Sequence, residues 1–330
     1  MPGTRAVELT ADAEGSGVTG VVLERNGTRA AIAARAGVLL ASGGFEWDAE
    51  RLARYFPGPT DRIASPRTNS GDELRLAEPL GAATAHMDQA LIYPLLPTRY
   101  EGGAHGMPAP FHLDPGAILV NRHGRRFVSE DTLDIGEALD QRDPATGEPL
   151  HLPAWLIADR RFLTLVIRWY ARFAPGWIKR APTIEQLPKK AGLPSAALRE
   201  TVERYNRFCA QGRDEDFHRG DSKFLSKRWE QGKPVMRVID VAPFIAVPFN
   251  RMVISPRAAC GRTREARYSA RTAASLRGCF APARRWRTRS ARGRSVPVRL
   301  GPNMTWGYIC ARTMLARNTA GSVSTPISLN

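Results

Sequence analysis

Thirteen arginines lie between Arg257 and Arg299, with Glu265 as the single acidic residue and no lysine. This arginine-rich tract limits what the chain can fold into, because it lacks apolar periodicity at 3.6 or 2 residues and predicts no amphipathic helix or strand. Removing it from the totals of 48 basic and 32 acidic residues leaves 35 and 31, so the tract supplies 12 of the 16 units of net charge. The basic character of the chain is therefore local.

Arginine binds phosphate through paired hydrogen bonds, so one hypothesis is a basic nucleic-acid-binding protein that uses residues 257–299 as a disordered arm. Two features disfavour it. The tract offers no recognition helix or ribbon, and it interrupts an otherwise globular pattern instead of forming a terminal arm. We keep this class as the alternative and expect no nucleic-acid partner.

The rest of the composition is that of a globular protein. With 43% hydrophobic and 24% charged residues, the chain can bury a large core. It has no run of 18 apolar residues and its N-terminus has no apolar signal segment, which predicts a cytoplasmic protein. The cysteines are widely spaced without a CxxC pair and the histidines are not paired at short spacing, so we expect neither a disulfide framework nor a metal site.

Three local signals lie in the first 90 residues. Asn26-Gly27 predicts a hairpin between apolar-rich runs, and Val38–Ala41 predicts a buried strand that leads into Ser42-Gly43-Gly44. Glycines after such a strand let a ligand approach the backbone, although a plain strand-ending turn explains them equally. A helix is predicted from about Asp72, capped by Asn69 or Ser70.

The order of motifs resembles a known family. The segments are ARAGVLLASGGFEWD, SPRTNSGDELRLAEPLGAA, GAILVNRHGRRFVSE, LRETVERYNRFCAQGRDEDFHRGDS, APFIAVPF and LGPNMTWGYICAR. Together they resemble the FAD-dependent fumarate reductase and 3-ketosteroid dehydrogenase flavoproteins. The resemblance implies an α/β fold, in which a dinucleotide-binding FAD domain (residues 1–91 and 241–330) is interrupted by an α+β substrate-capping domain (residues 92–240).

The same resemblance implies which residues contact FAD. The backbone around Ala41, Ser42, Gly43 and Gly44 and the side chain of Asp72 would lie along the cofactor. Two further residues, Leu300 and Gly301, correspond to the start of the last helix in the family. By resemblance, their backbone amides would point toward the flavin carbonyl edge.

Two departures from the family follow. Its members begin with a strand, a GxGxxG loop and a helix that holds the pyrophosphate, and both the GxGxxG pattern and this phosphate-binding start are predicted to be missing here. The arginine-rich tract also occupies the place of a flavin-contacting loop. Shifted by one nucleotide, residues 281–299 can encode AGTAMANPIGTRPVGAGTT, so we hypothesise that residues 256–299 are mistranslated and disordered. We therefore expect this chain to bind FAD weakly or not at all.

The resemblance implies hydride transfer between a substrate carbon and flavin N5, with dehydrogenation of a hydrophobic 3-ketosteroid-like enone favoured. The electron acceptor is not indicated. Candidate catalytic residues are Tyr93, Glu130 and Tyr170, with Tyr100 as a further candidate acid, while Tyr205 is expected to be structural. Glu130 lies where fumarate reductases carry a carboxylate, but the proton-relay arginine after it is missing, which weakens the alternative of a dicarboxylate reductase.

The segment LTLVIRWYARFAPGWIKR, residues 163–180, mixes apolar, aromatic and basic residues. Such a pattern is typical of helices that lie on a membrane surface. A helix of the capping domain is the alternative, and it is favoured because Pro175-Gly176 ends the amphipathic run early.

Overall fold

The computed structural model describes residues 1–15, 17–85, 87–132, 135–221, 234–256, 259–260, 267–269, 275–280 and 308–316. Helices and strands are mixed along the chain, as the sequence predicts. The chain divides into two compact units. The first unit contains residues 1–49, 66–89 and 256–330, and the second contains residues 50–65 and 90–255.

The strands in chain order are β1 Arg5–Ala11, β2 Val18–Arg25, β3 Thr28–Ala33, β4 Val38–Leu39, β5 Thr60–Ile63, β6 Thr84–Ala85, β7 Ala90–Ile92, β8 Leu95–Tyr100, β9 Gly103–Pro108, β10 Ala117–Val120, β11 Trp155–Ala158, β12 Lys179–Ala181, β13 Phe244–Pro248, β14 Arg251–Pro256, β15 Ala259–Cys260, β16 Arg267–Ser269 and β17 Ser275–Phe280. The helices are α1 Ala49–Tyr55, α2 Asp72–Ala77, α3 Ile135–Leu139, α4 Leu165–Ala171, α5 Leu187–Ala191 and α6 Ser195–Gln211, and residues 308–316 are also helical.

In the first unit, β1, β2 and β3 form an antiparallel sheet. Strands β2 and β3 are joined by Asn26 and Gly27, whose φ angles are 51° and 77°. Two consecutive residues with positive φ match the right-handed twist of the flanking strands, which is why Asn-Gly is favoured there. The predicted hairpin is confirmed.

The sequence does contain G-x-G-x-x-G, from Gly15 before β2 to Gly20 within it, so the prediction that the chain lacks this pattern is wrong. A phosphate-binding loop follows a strand and opens a helix, whereas here β2 begins at Val18 and runs antiparallel to β1. A Cβ on Gly20 would lie 2.3 Å from the carbonyl oxygen of Ile32 and 2.8 Å from Thr10 Oγ1. Gly20 therefore permits close strand pairing, and the pattern belongs to the sheet.

Strand β4 is shorter and more open than the buried strand that the sequence predicts. Leu40 is 5% exposed, but Leu39 is 44% exposed, because neighbouring side chains of an extended chain point to opposite sides. Strand β4 pairs in parallel with β17, and β17 pairs with β16, within the region that the sequence predicts to be mistranslated. The shifted-frame segment 281–299, Leu300 and Gly301 lie outside the described residues.

In the second unit, strands β10, β11, β13 and β12 form an antiparallel sheet in that order. Helix α6 packs Leu198 and Val202 against Ile118 and Ile157 of this sheet. Tyr205 is fully buried, and its hydroxyl donates a hydrogen bond to the carbonyl oxygen of Pro115 at 2.6 Å. Its predicted structural role is confirmed.

A second sheet in this unit has the order β5, β14, β7, with β14 parallel to β5. Asn250, which precedes β14, donates from its side chain to Asp61 of β5 at 2.9 Å. Tyr93 follows β7 directly, and its backbone N–H donates to the carbonyl oxygen of Met252 at 3.0 Å. The sheet thereby fixes the backbone that carries Tyr93.

Candidate functional site

The turn from Ser42 to Gly44 follows β4 and is only partly covered. Ala41 and Ser42 are exposed, while Gly43 and Gly44 are half-buried. Gly43 has a φ of 97°, and a Cβ there would lie 2.4 Å from Oδ1 of Asn69. Since residues with a Cβ rarely adopt this φ and have no room here, the turn requires glycine. We call residues 41–44 the glycine turn.

The structure brings the glycine turn together with the start of α2, as the resemblance implies for two segments that contact one cofactor. The N–H of Gly71 donates to the carbonyl oxygen of Gly44 at 2.9 Å. The side chain of Asn69 donates to Glu46 Oε1 at 3.4 Å, and the backbone carbonyl oxygen of Asn69 accepts from the N–H of Trp47 at 3.1 Å. Hydrogen bonds thus hold the two segments side by side.

Helix α2 begins at Asp72, where the sequence predicts it, but its cap differs from the prediction. The N-cap is Gly71, with a φ of 79° and no side-chain capping bond. Asn69 and Ser70 therefore do not cap the helix. The side chain of Asn69 is directed to Glu46, and Ser70 Oγ donates to Asp72 Oδ1 at 3.3 Å. The prediction failed because the partner of Asn69 lies 23 residues away.

Asp72 lies between two arginines. Its Oδ1 accepts from Arg5 Nη2 at 2.6 Å and from Arg75 Nη1 at 3.3 Å. The hydrogen bond that Arg5 donates to Asp72, together with the negative charge of Asp72, raises the pKa of Arg5. The side chain of Asp72 is 24% exposed, so a carboxylate of fixed orientation faces solvent at the first turn of α2.

Glu46 was missed by the sequence reasoning. It is fully buried two residues after Gly44, and a Cβ on Gly44 would lie 2.4 Å from its Oε2. The carboxylate therefore fills the space beneath the turn and requires glycine at residue 44. The available signal was an acidic residue immediately after the buried Phe45, and a sequence alone does not tell whether such a residue points inward.

Glu130 lies in a buried charged cluster of the second unit, which we call the Arg126 cluster. Arg126 donates to Glu130 at 2.7 Å and to Asp214 at 2.9 Å, and Arg219 donates to Glu130 at 3.4 Å. Glu130 Oε1 also accepts from the N–H of Leu119 at 2.9 Å. The carboxylate of Glu130 is therefore engaged by the protein itself.

The charges of the Arg126 cluster stabilise one another. Burial by itself would lower the pKa of Arg126, but the charges and hydrogen bonds of Glu130 and Asp214 outweigh burial and raise it. Burial likewise opposes ionisation of Asp214, yet the hydrogen bonds and charge of Arg126 bring its pKa below the usual range. Both groups are ionised at neutral pH, as a buried ion-pair network requires.

The two tyrosines lie on other elements of the second unit. Tyr93 is half-buried between Ile92 and Pro94, which are both buried. Tyr170 is half-buried on α4, with its ring centroid 6.3 Å from that of Phe173. Tyr93, Glu130 and Tyr170 thus come from a strand end, a loop and a helix, and their catalytic roles stay predictions.

The described residues contain neither a metal-binding group nor a membrane-spanning helix. Among them, no group of three or more His, Cys, Asp or Glu side chains could hold a metal ion. Within the same part of the chain, no helix combines the length and the apolar character that crossing a bilayer demands.

Comparison with known proteins identifies the family. The FAD binding domain family matches residues 1–256. The chain belongs to this family. The prediction of an FAD-binding fold and of FAD as the cofactor is thereby confirmed, and the glycine turn and α2 lie inside the matched region.

One relative is 4-oxocyclohexanecarboxylate 2-dehydrogenase of Sinomonas cyclohexanicum, which is 32% identical over an alignment of 324 residues; the match covers 93% of this chain and 55% of the relative. The 3-oxosteroid 1-dehydrogenase of Mycobacterium tuberculosis (strain ATCC 25618 / H37Rv) is 36% identical over an alignment of 213 residues, and this match covers 58% of this chain and 36% of the relative. The chain therefore spans about half or less of the length of these relatives.

A solved structure is similar over nearly the whole chain. It is 3-ketosteroid delta1-dehydrogenase from Sterolibacterium denitrificans in complex with 1,4-androstadiene-3,17-dione, with a TM-score of 0.75 and 28% identity. The similarity covers 95% of this chain and 59% of that chain. The fold of this FAD binding domain chain thus resembles that of a ketosteroid dehydrogenase.

Proposed function

We propose that this protein is an FAD-dependent oxidoreductase that dehydrogenates a CH–CH bond in a ring bearing an oxo group, with a hydrophobic 3-ketosteroid-like enone as substrate. One observation carries the proposal: the two relatives described above are both named as dehydrogenases of oxo-substituted rings. The similar solved structure is named as a ketosteroid dehydrogenase in complex with an androstadienedione.

The residues present fit FAD. Gly43 and Gly44 pack on Asn69 and Glu46, which fill the positions that a Cβ would take. Ala41 and Ser42 stay exposed, so a planar or phosphorylated ligand can approach the backbone of the glycine turn there. The carboxylate of Asp72 is an acceptor of fixed orientation for a ligand hydroxyl or N–H group. When bound, FAD supplies the hydride acceptor at its N5 atom.

We assign the cofactor contacts as follows. The backbone of Ala41, Ser42, Gly43 and Gly44 lies along FAD, and Asp72 accepts a hydrogen bond from it. Arg5 and Arg75 hold the Asp72 carboxylate in position. The predicted contacts of Leu300 and Gly301 lie outside the described residues.

Dehydrogenation removes a hydride from one carbon and a proton from its neighbour, so a protein group must accept the proton. We assign this role to Tyr93, because it is half-buried and its neighbours Ile92 and Pro94 are buried apolar residues that suit a hydrophobic substrate. Tyr170 is the second candidate. The geometry favours a structural role for Glu130, whose oxygens are engaged by Arg126, Arg219 and a backbone amide.

We propose that the second unit contains the capping domain predicted at residues 92–240. Its antiparallel sheet with α5 and α6 has a hydrophobic core of its own, as a domain inserted into another requires. Strand β13, residues 244–248, hydrogen-bonds β11 and β12, which supports extending this domain beyond residue 240. The reduced thiol of Cys209 supports a reducing, cytoplasmic location.

The test is turnover by the purified 330-residue chain with added FAD and a dye as electron acceptor. Because the sequence predicts weak binding of FAD, FAD is added at millimolar concentration, and we expect 4-androstene-3,17-dione to lose two hydrogens slowly, detected by mass spectrometry. Tyr93→Phe should reduce this turnover by about 10²- to 10⁴-fold while FAD binding is retained. The exposed Tyr100→Phe variant is the matched control.

Three outcomes are informative. Turnover of the steroid supports the proposal. Turnover of 4-oxocyclohexanecarboxylate in place of the steroid would retain the reaction and replace the substrate class. An unchanged FAD fluorescence up to millimolar concentration, with no turnover of either ketone, would contradict the proposal.

A further inference from the structure

Helix α4 directs its large apolar side chains outward. Leu165 is 82% exposed, Val166 is 57% exposed and Trp169 is 56% exposed, whereas Ile167 is buried. At 100° per residue, the three exposed side chains fall on one face of the helix, opposite Ile167. A surface helix ordinarily buries such a face and exposes its polar side, so α4 is inverted with respect to that rule.

Positive charge surrounds this apolar face. Residues 160–184 contain six basic residues and no aspartate or glutamate. Arg168 of α4 and Arg172, which caps the C-terminus of this helix, are exposed, and the guanidinium of Arg172 lies 3.1 Å from the ring centroid of Trp169. The charge of Arg161, one of the six, is compensated because its guanidinium pairs with Asp159 and Asp240.

The inner side of α4 packs against strand β8. Its outer side is an apolar face bordered by arginines, which we call the α4 surface; it consists of Leu165, Val166 and Trp169, with Arg168 and Arg172 at its border.

We propose that the α4 surface docks on an anionic phospholipid bilayer. Leucine and tryptophan side chains enter the boundary between headgroups and acyl chains, and flanking arginines keep their guanidinium groups at the level of the phosphates. The charge pattern selects this occupant. A second copy meeting the patch face to face would bring like charges together without an acidic partner in residues 160–184, whereas anionic headgroups complement them.

The experiment is flotation of the full chain with vesicles of phosphatidylglycerol and phosphatidylcholine, compared with vesicles of phosphatidylcholine alone. We expect binding to the anionic vesicles that weakens with salt. Leu165→Ser/Trp169→Ser should reduce the partition coefficient at least tenfold, and each of Arg168→Gln and Arg172→Gln should reduce it by about fivefold. Ile32→Ser, at an exposed apolar site of β3, is the matched control and should leave binding unchanged.

The arginine-rich tract, residues 257–299, is a second source of binding to anionic lipids, and a depth measurement separates the two. Brominated acyl chains quench tryptophans that enter the bilayer. We expect quenching that is lost in Trp169→Phe while the protein still floats with the vesicles. Because the substituted side chains are exposed, the thermal unfolding of all variants should match that of the wild type.

Three results would overturn the proposal. One is unchanged flotation of Leu165→Ser/Trp169→Ser, and another is quenching that persists without Trp169. The third is a self-association, detected by sedimentation velocity, that the same double variant abolishes, since this would assign the surface to a second copy of the chain. Turnover of dissolved ketone does not enter these measurements, so failure here is distinguishable from failure of the proposed oxidoreductase function.

Discussion

The glycine turn of the first unit and the Arg126 cluster of the second unit both join segments that are distant in sequence. They differ in which of their atoms stay exposed and can contact a ligand. In the glycine turn, hydrogen bonds from Gly71 and Asn69 hold the loop from one side, and Ala41 and Ser42 stay exposed. In the cluster, Arg126 and Glu130 are buried, and their charged atoms bind one another.

This difference suits the glycine turn to ligand binding and the Arg126 cluster to stability. A backbone that is held in place yet partly exposed can bind a ligand without paying an ordering cost at that moment. A carboxylate that already accepts from two arginines and an amide, as Glu130 does, has its hydrogen-bonding capacity engaged within the protein. Substitutions in the two regions should therefore affect different quantities.

The largest effect is expected for Arg126→Met. Removal of this guanidinium leaves Glu130 and Asp214 buried without their main cationic partner, which should lower the free energy of unfolding by about 3–5 kcal/mol. Urea denaturation followed by circular dichroism measures the change. Arg204→Met removes an exposed partner of Asp216 and is the control that should change stability little. Equal stabilities of Arg126→Met and wild type would show that the cluster is not structural.

Acidification should also lower the free energy of unfolding, because His112 is buried in the second unit. Burial lowers the pKa of His112 to about 3, from an ordinary value of 6.5. Below pH 6.5 the unfolded chain binds a proton at this histidine and the folded chain does not, so stability is complete above pH 6.5 and falls as the pH decreases toward 3.

The expected slope is up to about 1.4 kcal/mol per pH unit for this one group. Urea denaturation between about pH 6.5 and 4.5, above the range in which most carboxyls titrate, measures it. His112→Asn should flatten the slope, whereas His123→Asn, at an exposed site, should leave it unchanged. A slope that does not differ between wild type and His112→Asn would contradict the burial of a neutral imidazole.

Gly43→Ala is expected to change the free energy of FAD binding, by less than the stability changes above. The substitution places a Cβ at a φ of 97° and 2.4 Å from Asn69, so the turn must shift, and FAD affinity should fall by about tenfold or more, equivalent to about 1.4 kcal/mol. Gly27→Ala has a similar φ of 77° with open space around the Cβ, and is the matched control. FAD titration by fluorescence measures both. Equal FAD affinities of Gly43→Ala and Gly27→Ala would show that the glycine turn does not contact FAD.

Local patterns predicted part of this structure correctly. The Asn26-Gly27 hairpin and the start of α2 at Asp72 follow from residues within a few positions of each other, because turn and helix-start preferences are local. The capping of α2 and the burial of Glu46 do not follow, since the contact between Asn69 and Glu46 joins segments 23 residues apart. The arrangement became visible only when tertiary structure brought the two segments together.

The role of Glu130 was unpredictable for the same reason. Arg126 is four residues from it and visible in the sequence, but Asp214 lies 88 residues from Arg126 and Arg219 lies 89 residues from Glu130. Conversely, the G-x-G-x-x-G letters from Gly15 to Gly20 would have misled a search by pattern, because only the antiparallel pairing of β1 and β2 shows that no helix follows. The shifted-frame hypothesis for residues 281–299 stays a prediction, and resequencing of the gene decides it.

Hydrogen exchange with mass spectrometry tests the central claim, that the glycine turn with the start of α2 binds FAD while the Arg126 cluster serves stability. The chain is compared with and without FAD at millimolar concentration, because the sequence predicts weak binding. We expect FAD to slow exchange in peptides covering residues 41–47 and 69–75 and to leave residues 117–131 unchanged. Unaltered exchange at residues 41–47 and 69–75, or protection confined to residues 117–131, would contradict the account.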